Sequence, residues 1–192
     1  GMLSDYMKMN HDGSRIVVAE SSYYGSWHTK SKVLAYEYNS TSTTWEHLGE
    51  AIENIQANPE DTHSSATISI SGSGDRIAIG FPINATGDGG YYYDSSILVY
   101  EFGEMNRDWI QLGGQIDRVT SIIGLGFTAK LSSDGSHIAV GGQVSGSSNG
   151  YYFPIKSYLY VFEYDSNKDT WKKVGEPICS GKDDTYSADL HG

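Results

Sequence analysis

Three blocks of sequence recur in the same order along this chain, and this repetition restricts the possible folds more than any other feature. The first block reads HDGSRIVVAE, GSGDRIAIGF and SDGSHIAVGG, which places Ile16, Ile77 and Ile138 at equal spacings of 61 residues. The second reads VLAYEY, ILVYEF and LYVFEY, and the third reads WEHLGEAI, WIQLGGQI and WKKVGEPI. A fixed period of this length indicates similar structural units that pack against one another.

Each repeat predicts four antiparallel strands. Alternating apolar residues predict the first strand, most clearly at Phe127, Ala129 and Leu131. A tight turn follows at 12–13, 74–75 and 134–135, where glycine stands beside aspartate, and reverses the chain into the second strand. The aromatic block forms the third strand, and the tryptophan block forms the fourth. Each unit is therefore expected to be a four-stranded meander.

The third strand of the last unit is apolar on both faces, with Leu159 and Val161 on one side and Tyr160 and Phe162 on the other. A sheet of this kind needs cover on both faces. Units stacked face to face, like the blades of a β-propeller, provide such cover. We therefore predict an all-β fold of propeller blades. The large residues expected to anchor the packing between blades are Trp45, Trp109 and Trp171.

The repeat also sets the expected boundaries. Blade 1 covers about residues 3–62, blade 2 about 63–123 and blade 3 about 124–182 of one repeat domain. Residues 183–192 are expected to start a fourth blade, because Tyr186, Ala188 and Leu190 repeat the alternation seen in the first strand of blade 3. Propellers have about four to eight blades, so further blades or self-association are expected to complete the ring.

The series SSDGSHIAVG, YVFEY and W..VG..I resembles the FG-GAP-like propeller repeats, which are related in shape to the head of integrin α subunits. The resemblance covers about residues 3–190 and is closest at 124–142. It implies a secreted or cell-surface protein. FG-GAP turns often bind calcium through several aspartates, whereas each turn here has one carboxylate, from Asp12, Asp75 or Asp134. Since Ca²⁺ takes six to eight oxygen ligands, no cofactor is expected and structural calcium is the weaker alternative.

Charge and composition restrict the partners. The formal net charge of −11 and the pI of about 4.8 disfavour binding to nucleic acid. No apolar stretch approaches the roughly 18 residues of a membrane-spanning helix, so no membrane insertion is expected. The single cysteine, Cys179, is expected to be a small buried hydrophobic residue. Two sequons in predicted loops, at Asn39 and Asn84, favour N-glycosylation and an extracellular or cell-surface location.

Signatures of catalysis are weak in this sequence. The six histidines are scattered without a close pair, and no serine stands in a G-x-S-x-G motif. The chain is therefore predicted not to be an enzyme. A propeller glycosidase-like enzyme is kept as an alternative, since such enzymes use paired carboxylates. The candidate carboxylates lie in predicted loops, at Asp88, Asp117, Asp183 and Asp184.

The segments between the second and third strands are long and aromatic: SSYYGSW, GDGGYYYD and SNGYYFP. As loops, all three would emerge on the same face of the propeller, and glycine beside tyrosine is a composition typical of binding loops. The main prediction is therefore an adhesion or binding module for a glycan or protein partner. Its predicted contacts are Tyr24, Trp27, Tyr91, Tyr92, Tyr151 and Tyr152. In the alternative, these rings only cap the core or begin the third strand, and the chain is an architectural spacer.

Overall fold

The computed structural model describes residues 7–24, 28–53, 67–87, 90–116, 123–148 and 151–180. Throughout these segments the chain is all-β and contains no helix. Consequently, no described segment forms an apolar helix long enough to cross a membrane.

The strands form three antiparallel sheets in chain order. The first sheet contains β1 (Met7–Met9), β2 (Arg15–Tyr24), β3 (His28–Asn39) and β4 (Thr44–His47), and the short β5 (Ile52–Glu53) also pairs with β3. The second contains β6 (Thr67–Ile70), β7 (Arg76–Gly87), β8 (Gly90–Gly103) and β9 (Asp108–Gln111). The third contains β10 (Ile123–Leu131), β11 (His137–Ser148), β12 (Tyr151–Asp165) and β13 (Thr170–Ser180). The predicted fold class of tandem four-stranded antiparallel blades is confirmed, and the predicted fourth-blade strand lies outside the described residues.

The turn between the first two strands of each blade has the same glycine conformation. Gly13, Gly74 and Gly135 have φ angles of +77°, +80° and +68°. Glycine takes up this left-handed conformation without the steric cost that a Cβ would impose. The chain can therefore reverse tightly at each turn, as the sequence predicted.

The hydrophobic core lies between the blades. One buried cluster joins the first and second sheets, and a second cluster joins the second and third sheets. In the middle blade, Ile77 and Ile79 belong to the first cluster, whereas Ala78 belongs to the second. Alternate residues of one strand point to opposite faces, so this sheet is apolar and covered on both sides. The middle blade therefore has the stacked arrangement that the two-sided apolar pattern predicted.

The three tryptophans make the same contact within their own blades. Each lies opposite an aromatic residue of the neighbouring strand, with ring centroids 5.3–5.4 Å apart, in the pairs Tyr38–Trp45, Phe102–Trp109 and Tyr164–Trp171. They differ in burial: Trp109 is 9% exposed and Trp171 is half-buried, but Trp45 is 41% exposed. Trp45 is thus not the expected anchor between blades, because no described blade packs against its side of the first sheet.

Two other expectations are wrong. Cys179 is exposed, because it lies on β13, the outermost strand of the third sheet, which no described blade covers. Asn84 lies within β7 rather than in a loop, because the β7–β8 hairpin is longer than the apolar blocks suggested.

Asn39 is the last residue of β3, and its side chain forms hydrogen bonds within the turn that follows. Its side-chain Nδ2 donates to Glu46 Oε1 at 2.8 Å, and its Oδ1 accepts from the Thr41 amide at 2.9 Å.

Candidate functional site

The described residues of the aromatic segments expected to be loops lie in the outer halves of long β-hairpins. Strands β7 and β8 stay in register from Arg76 opposite Glu101 to Gly87 opposite Gly90. In the third blade the β11–β12 pairing continues to Ser148 opposite Tyr151. For the described residues of these segments the prediction of aromatic loops is wrong, because strand pairing extends to them, with a register shift between Val144 and Ser145 in the third blade.

The structure places the backbone of five predicted contact residues in these hairpins. Tyr24 ends β2, Tyr91 and Tyr92 lie in β8, and Tyr151 and Tyr152 lie in β12. Trp27 lies outside the described residues, as do the side-chain positions of the five tyrosines. The assignment of these six residues as ligand contacts stays a prediction.

The best-defined side-chain site is the contact between neighbouring blades, which we call a seam. At the first seam the indole Nε1 of Trp109 donates a hydrogen bond to the backbone oxygen of Leu48 at 2.7 Å. The tryptophan ring lies against Gly49, where a Cβ would stand only 2.9 Å from the ring. Glycine at this position therefore makes room for the tryptophan of the next blade.

The second seam repeats this contact. Trp171 Nε1 donates to the backbone oxygen of Leu112 at 3.0 Å, and a Cβ on Gly113 would stand 3.1 Å from the Trp171 ring. Both glycines have positive φ angles, +75° at Gly49 and +72° at Gly113. The two seams thus use one geometry in which an indole lies on a left-handed glycine.

An arginine forms a second contact across each seam. Arg76 donates through Nε and Nη2 to Glu101 Oε1 of its own blade, at 2.9 and 2.7 Å. Its Nη1 donates across the seam to the backbone oxygen of Gly135 at 3.1 Å, and its guanidinium lies 5.5 Å from the centroid of the Tyr164 ring. Arg76 therefore forms an ion pair within its own blade and contacts a turn and an aromatic ring of the next blade.

Arg15 makes the same set of contacts at the first seam. It pairs with Glu37 at 2.8 Å, its Nη1 lies 3.4 Å from the backbone oxygen of Gly74, and its guanidinium lies 5.4 Å from the centroid of the Phe102 ring. In the third blade His137 takes this position, with Glu163 at 4.0 Å. Sequence reasoning missed these arginines. Two features of the sequence could have identified them. An arginine stands directly before the apolar run of the second strand, and the aromatic block of the same repeat contains a glutamate.

Local hydrogen bonds occupy the carboxylates of the turn aspartates Asp75 and Asp134. Asp134 accepts from the hydroxyl groups of Ser132 and Ser136 and from the Ser136 amide, and Asp75 accepts from the hydroxyl groups of Ser71 and Ser73. These bonds lower the pKa of Asp134 below its ordinary value. At Asp75, burial alone would raise the pKa, but the serine hydrogen bonds outweigh burial and lower it. Asp75 and Asp134 thus act within their own turns.

These pKa shifts predict a specific acid sensitivity. Because the folded-state pKa of Asp75 lies below its ordinary value of 3.8, its carboxylate stabilises the fold above about pH 4. That contribution disappears as the pH falls through the lowered, folded-state pKa. We expect Asp75→Asn to lower the urea midpoint at pH 7, and the gap from wild type to shrink as the pH falls below about 4. Glu176→Gln, at an exposed position on β13, is the control and should keep the wild-type profile. A gap that stays constant with pH would contradict this assignment.

No group of three potential metal-ligating side chains occurs among the described residues. The carboxylates considered for a glycosidase, Asp88, Asp117, Asp183 and Asp184, lie outside the described residues. The side-chain contacts described above join neighbouring blades.

Comparisons with known proteins give similarity of structure only. No family model matches the chain, and no curated protein matches it. Among solved structures, prolyl oligopeptidase B from Galerina marginata matches with 16% identity and a TM-score of 0.48, covering 91% of this chain and 23% of that one. The tricorn protease matches with 13% identity and a TM-score of 0.44, covering 89% of this chain and 15% of that one. The chain thus spans less than a quarter of either protein.

The comparisons correct the predicted function. Both similar structures are peptidases that contain β-propeller domains, and neither supports an adhesion module. The prediction of a glycan-binding or protein-binding adhesion module is therefore wrong. A β-propeller-like fold agrees with the described blades, whereas the narrower FG-GAP assignment is not shown.

Proposed function

We propose that this chain is a non-catalytic propeller scaffold whose blades hold a fixed geometry within a larger assembly. The observation that carries this proposal is the repeated seam: Trp109 and Trp171 make one contact, and Arg15 and Arg76 make another. Polar side chains at equivalent repeat positions are thus used to join blades. A scaffold needs such joints, because each blade alone would leave an apolar face in water.

Backbone hydrogen bonds across the seams support the same role. The His11 amide donates to the Gly72 oxygen at 3.0 Å, and the Gly72 amide donates to the Ser133 oxygen at 2.7 Å. These bonds link the first turns of all three blades in series. Ser69 adds a buried contact at the second seam, where its hydroxyl oxygen accepts from the Leu131 amide at 3.0 Å. Rigid coupling of this kind suits a scaffold.

Kinship with FG-GAP repeats belongs to this proposal and rests on the three recurrent sequence blocks. The proposed extracellular location rests on the sequons at Asn39 and Asn84. Glycosylation at Asn39 would act on the same nitrogen that donates to Glu46. Peptide mapping of the natively expressed protein tests the location, and cytosolic protein without glycan would overturn it.

Hydrogen exchange at the two seam amides tests the scaffold. In the wild type, we expect the His11 and Gly72 amides to exchange as slowly as strand amides in the core. Trp109→Ala should speed exchange at His11, which belongs to the first seam, more than at Gly72, whose bond belongs to the second. The second seam is therefore an internal control. Seam amides that exchange in the wild type as fast as that of the fully exposed Met105 would overturn rigid coupling.

Catalysis is tested on the same preparation with fluorogenic peptides and chromogenic glycosides. The peptides are included because both similar structures are peptidases. We expect no turnover above that of a heat-denatured sample. Turnover that follows the folded protein through purification would overturn the non-catalytic proposal and leave the exchange result unaffected.

A further inference from the structure

The indole contact is the same at both seams, so it does not distinguish one blade from another. Trp109 lies on the left-handed Gly49, and Trp171 lies on the left-handed Gly113. An arginine also reaches the next turn at each seam. By these contacts alone, the face of blade 1 that receives blade 2 could equally receive blade 3. Misdocking of similar units is a characteristic failure of repeat proteins. Discrimination therefore depends on polar residues that differ between the seams.

A buried hydroxyl group distinguishes the second seam. The amide of Leu131, in the first strand of blade 3, donates to Ser69 Oγ of blade 2 at 3.0 Å, and both residues are buried. The equivalent position of blade 1 is Lys8, 61 residues before Ser69. An ammonium group has donors but no acceptor. Blade 3 docked on blade 1 would therefore bury the Leu131 amide without this partner, which costs an unmade hydrogen bond.

Two ion pairs cross the first seam. In the β8–β9 turn of blade 2, Arg107 Nη2 lies 3.5 Å from Glu37 Oε2 of blade 1, and Glu104 Oε1 lies 3.7 Å from Arg15 Nη2 of blade 1. Blade 3 has Asp169 at the position of Arg107. On blade 1, blade 3 would therefore bring a carboxylate toward Glu37 in place of a guanidinium. Blade 2 is thus the better partner for this face.

The weak attraction of these exposed pairs suits discrimination between blades. Arg107 is 62% exposed, and an ion pair of this kind contributes little to stability. Specificity, however, is the difference between the right and the wrong partner. A small attraction toward blade 2 and a repulsion toward blade 3 add in that difference.

We propose that these polar residues fix the order in which the blades dock, so that blade 3 docks on blade 2 and not on blade 1. Ser69 selects the partner at the second seam, and Arg107 with Glu104 selects it at the first. The inference concerns the two internal seams only. It extends the proposed scaffold role, because a fixed geometry requires the blades in a fixed order.

A competition between thiols in the full chain tests the docking order. Thr170→Cys is combined with Gly114→Cys and Glu50→Cys, and the exposed Cys179 is replaced by serine. At the first seam the Glu50 amide donates to Asp108 Oδ1 at 2.9 Å, and positions 114 and 170 are the equivalents at the second seam. A Cβ on Gly114 would meet nothing within 4 Å among the described residues, so a cysteine fits there. Position 170 comes next to position 50 only if blade 3 docks on blade 1.

The ratio of the two cross-links is the measurement. The chain is refolded from urea at low protein concentration with a short bis-maleimide in the buffer, and the cross-linked peptides of the monomer are identified by mass spectrometry. The ratio in concentrated urea is the baseline, because chain separation alone sets it there. On refolding, we expect the 170–114 product to gain on the 170–50 product by about tenfold over this baseline, the order of effect of one unsatisfied buried donor.

Three substitutions in this reporter chain change the selecting residues. Lys8→Ser with Ser69→Ala transfers the hydroxyl acceptor from blade 2 to blade 1. Arg107→Asp gives blade 2 the carboxylate of blade 3. Each change should raise the share of the 170–50 product by about threefold or more, because the difference between right and wrong docking shrinks. Ser96→Ala, at another buried serine of the second sheet, is the matched control and should leave the ratio unchanged.

The outcomes separate this proposal from the scaffold. A 170–50 share that stays constant in the Arg107→Asp variant and in the serine variant would overturn the docking order, as would a refolded ratio equal to the urea baseline. If circular dichroism showed the Ser69→Ala chain unfolded, Arg107→Asp alone would decide, because its site is exposed. Fast hydrogen exchange at the seam amides would overturn the rigid scaffold without changing which thiols cross-link.

Discussion

Replacing Trp109 with alanine should lower the free energy of unfolding by about 3–5 kcal/mol, the range for truncating a large buried aromatic side chain. The indole is buried between two blades, packs against Phe102 and donates to the Leu48 carbonyl. Its removal leaves a cavity at the seam and an unsatisfied buried acceptor. Urea unfolding monitored by circular dichroism at low protein concentration measures the change.

Trp45→Ala is the matched control, since Trp45 has the same aromatic partner position within its blade but is exposed. We expect it to cost under about 1 kcal/mol, because solvent already occupies the space beside the ring. The difference between the two variants therefore measures the seam rather than the loss of a tryptophan. Equal costs for the two variants would show that Trp109 contributes only within its own blade.

Replacing Arg76 with alanine should cost about 2 kcal/mol, the order of a hydrogen-bonded contact to a charged group that is largely shielded from solvent. The substitution removes the ion pair with Glu101, the hydrogen bond to the Gly135 carbonyl and the contact with Tyr164. It also leaves Glu101 without its counter-charge. Because Glu101 is partly solvated, the cost should stay below that of breaking a fully buried pair.

Two variants define the cause of that loss. Arg76→Lys keeps the charge but cannot form the planar fork, so it should recover less than half of the stability. Arg107→Ala removes a guanidinium that is 62% exposed and 3.5 Å from Glu37, and it should change the stability by under about 0.5 kcal/mol. Full recovery by lysine would show that charge alone, rather than the contact across the seam, accounts for the effect of Arg76.

The strand order, the turns and the two-sided apolar character of the blades could be predicted from the sequence. These features are local: alternation sets which side chains share a face, and glycine beside aspartate marks each tight reversal. For this reason β10, β11 and β12 follow the repeat blocks, and Ile77 and Ala78 belong to different core clusters. The repeat also identified Trp109 as an anchor, because a large aromatic residue at a fixed repeat position indicates packing between units.

The contacts made at each repeat position depend on how the blades pack and could not be predicted from the repeat. Trp45 and Trp109 occupy equivalent positions, but burial depends on whether a neighbouring blade covers the ring, and a repeat pattern does not contain that information. The described residues of the aromatic segments form strands, because strand pairing extends the hairpins beyond the apolar blocks. Arg76 gained its role from a carbonyl and a ring 59 and 88 positions away in the chain. Such contacts exist only once the blades stack, because stacking brings those distant groups next to the guanidinium.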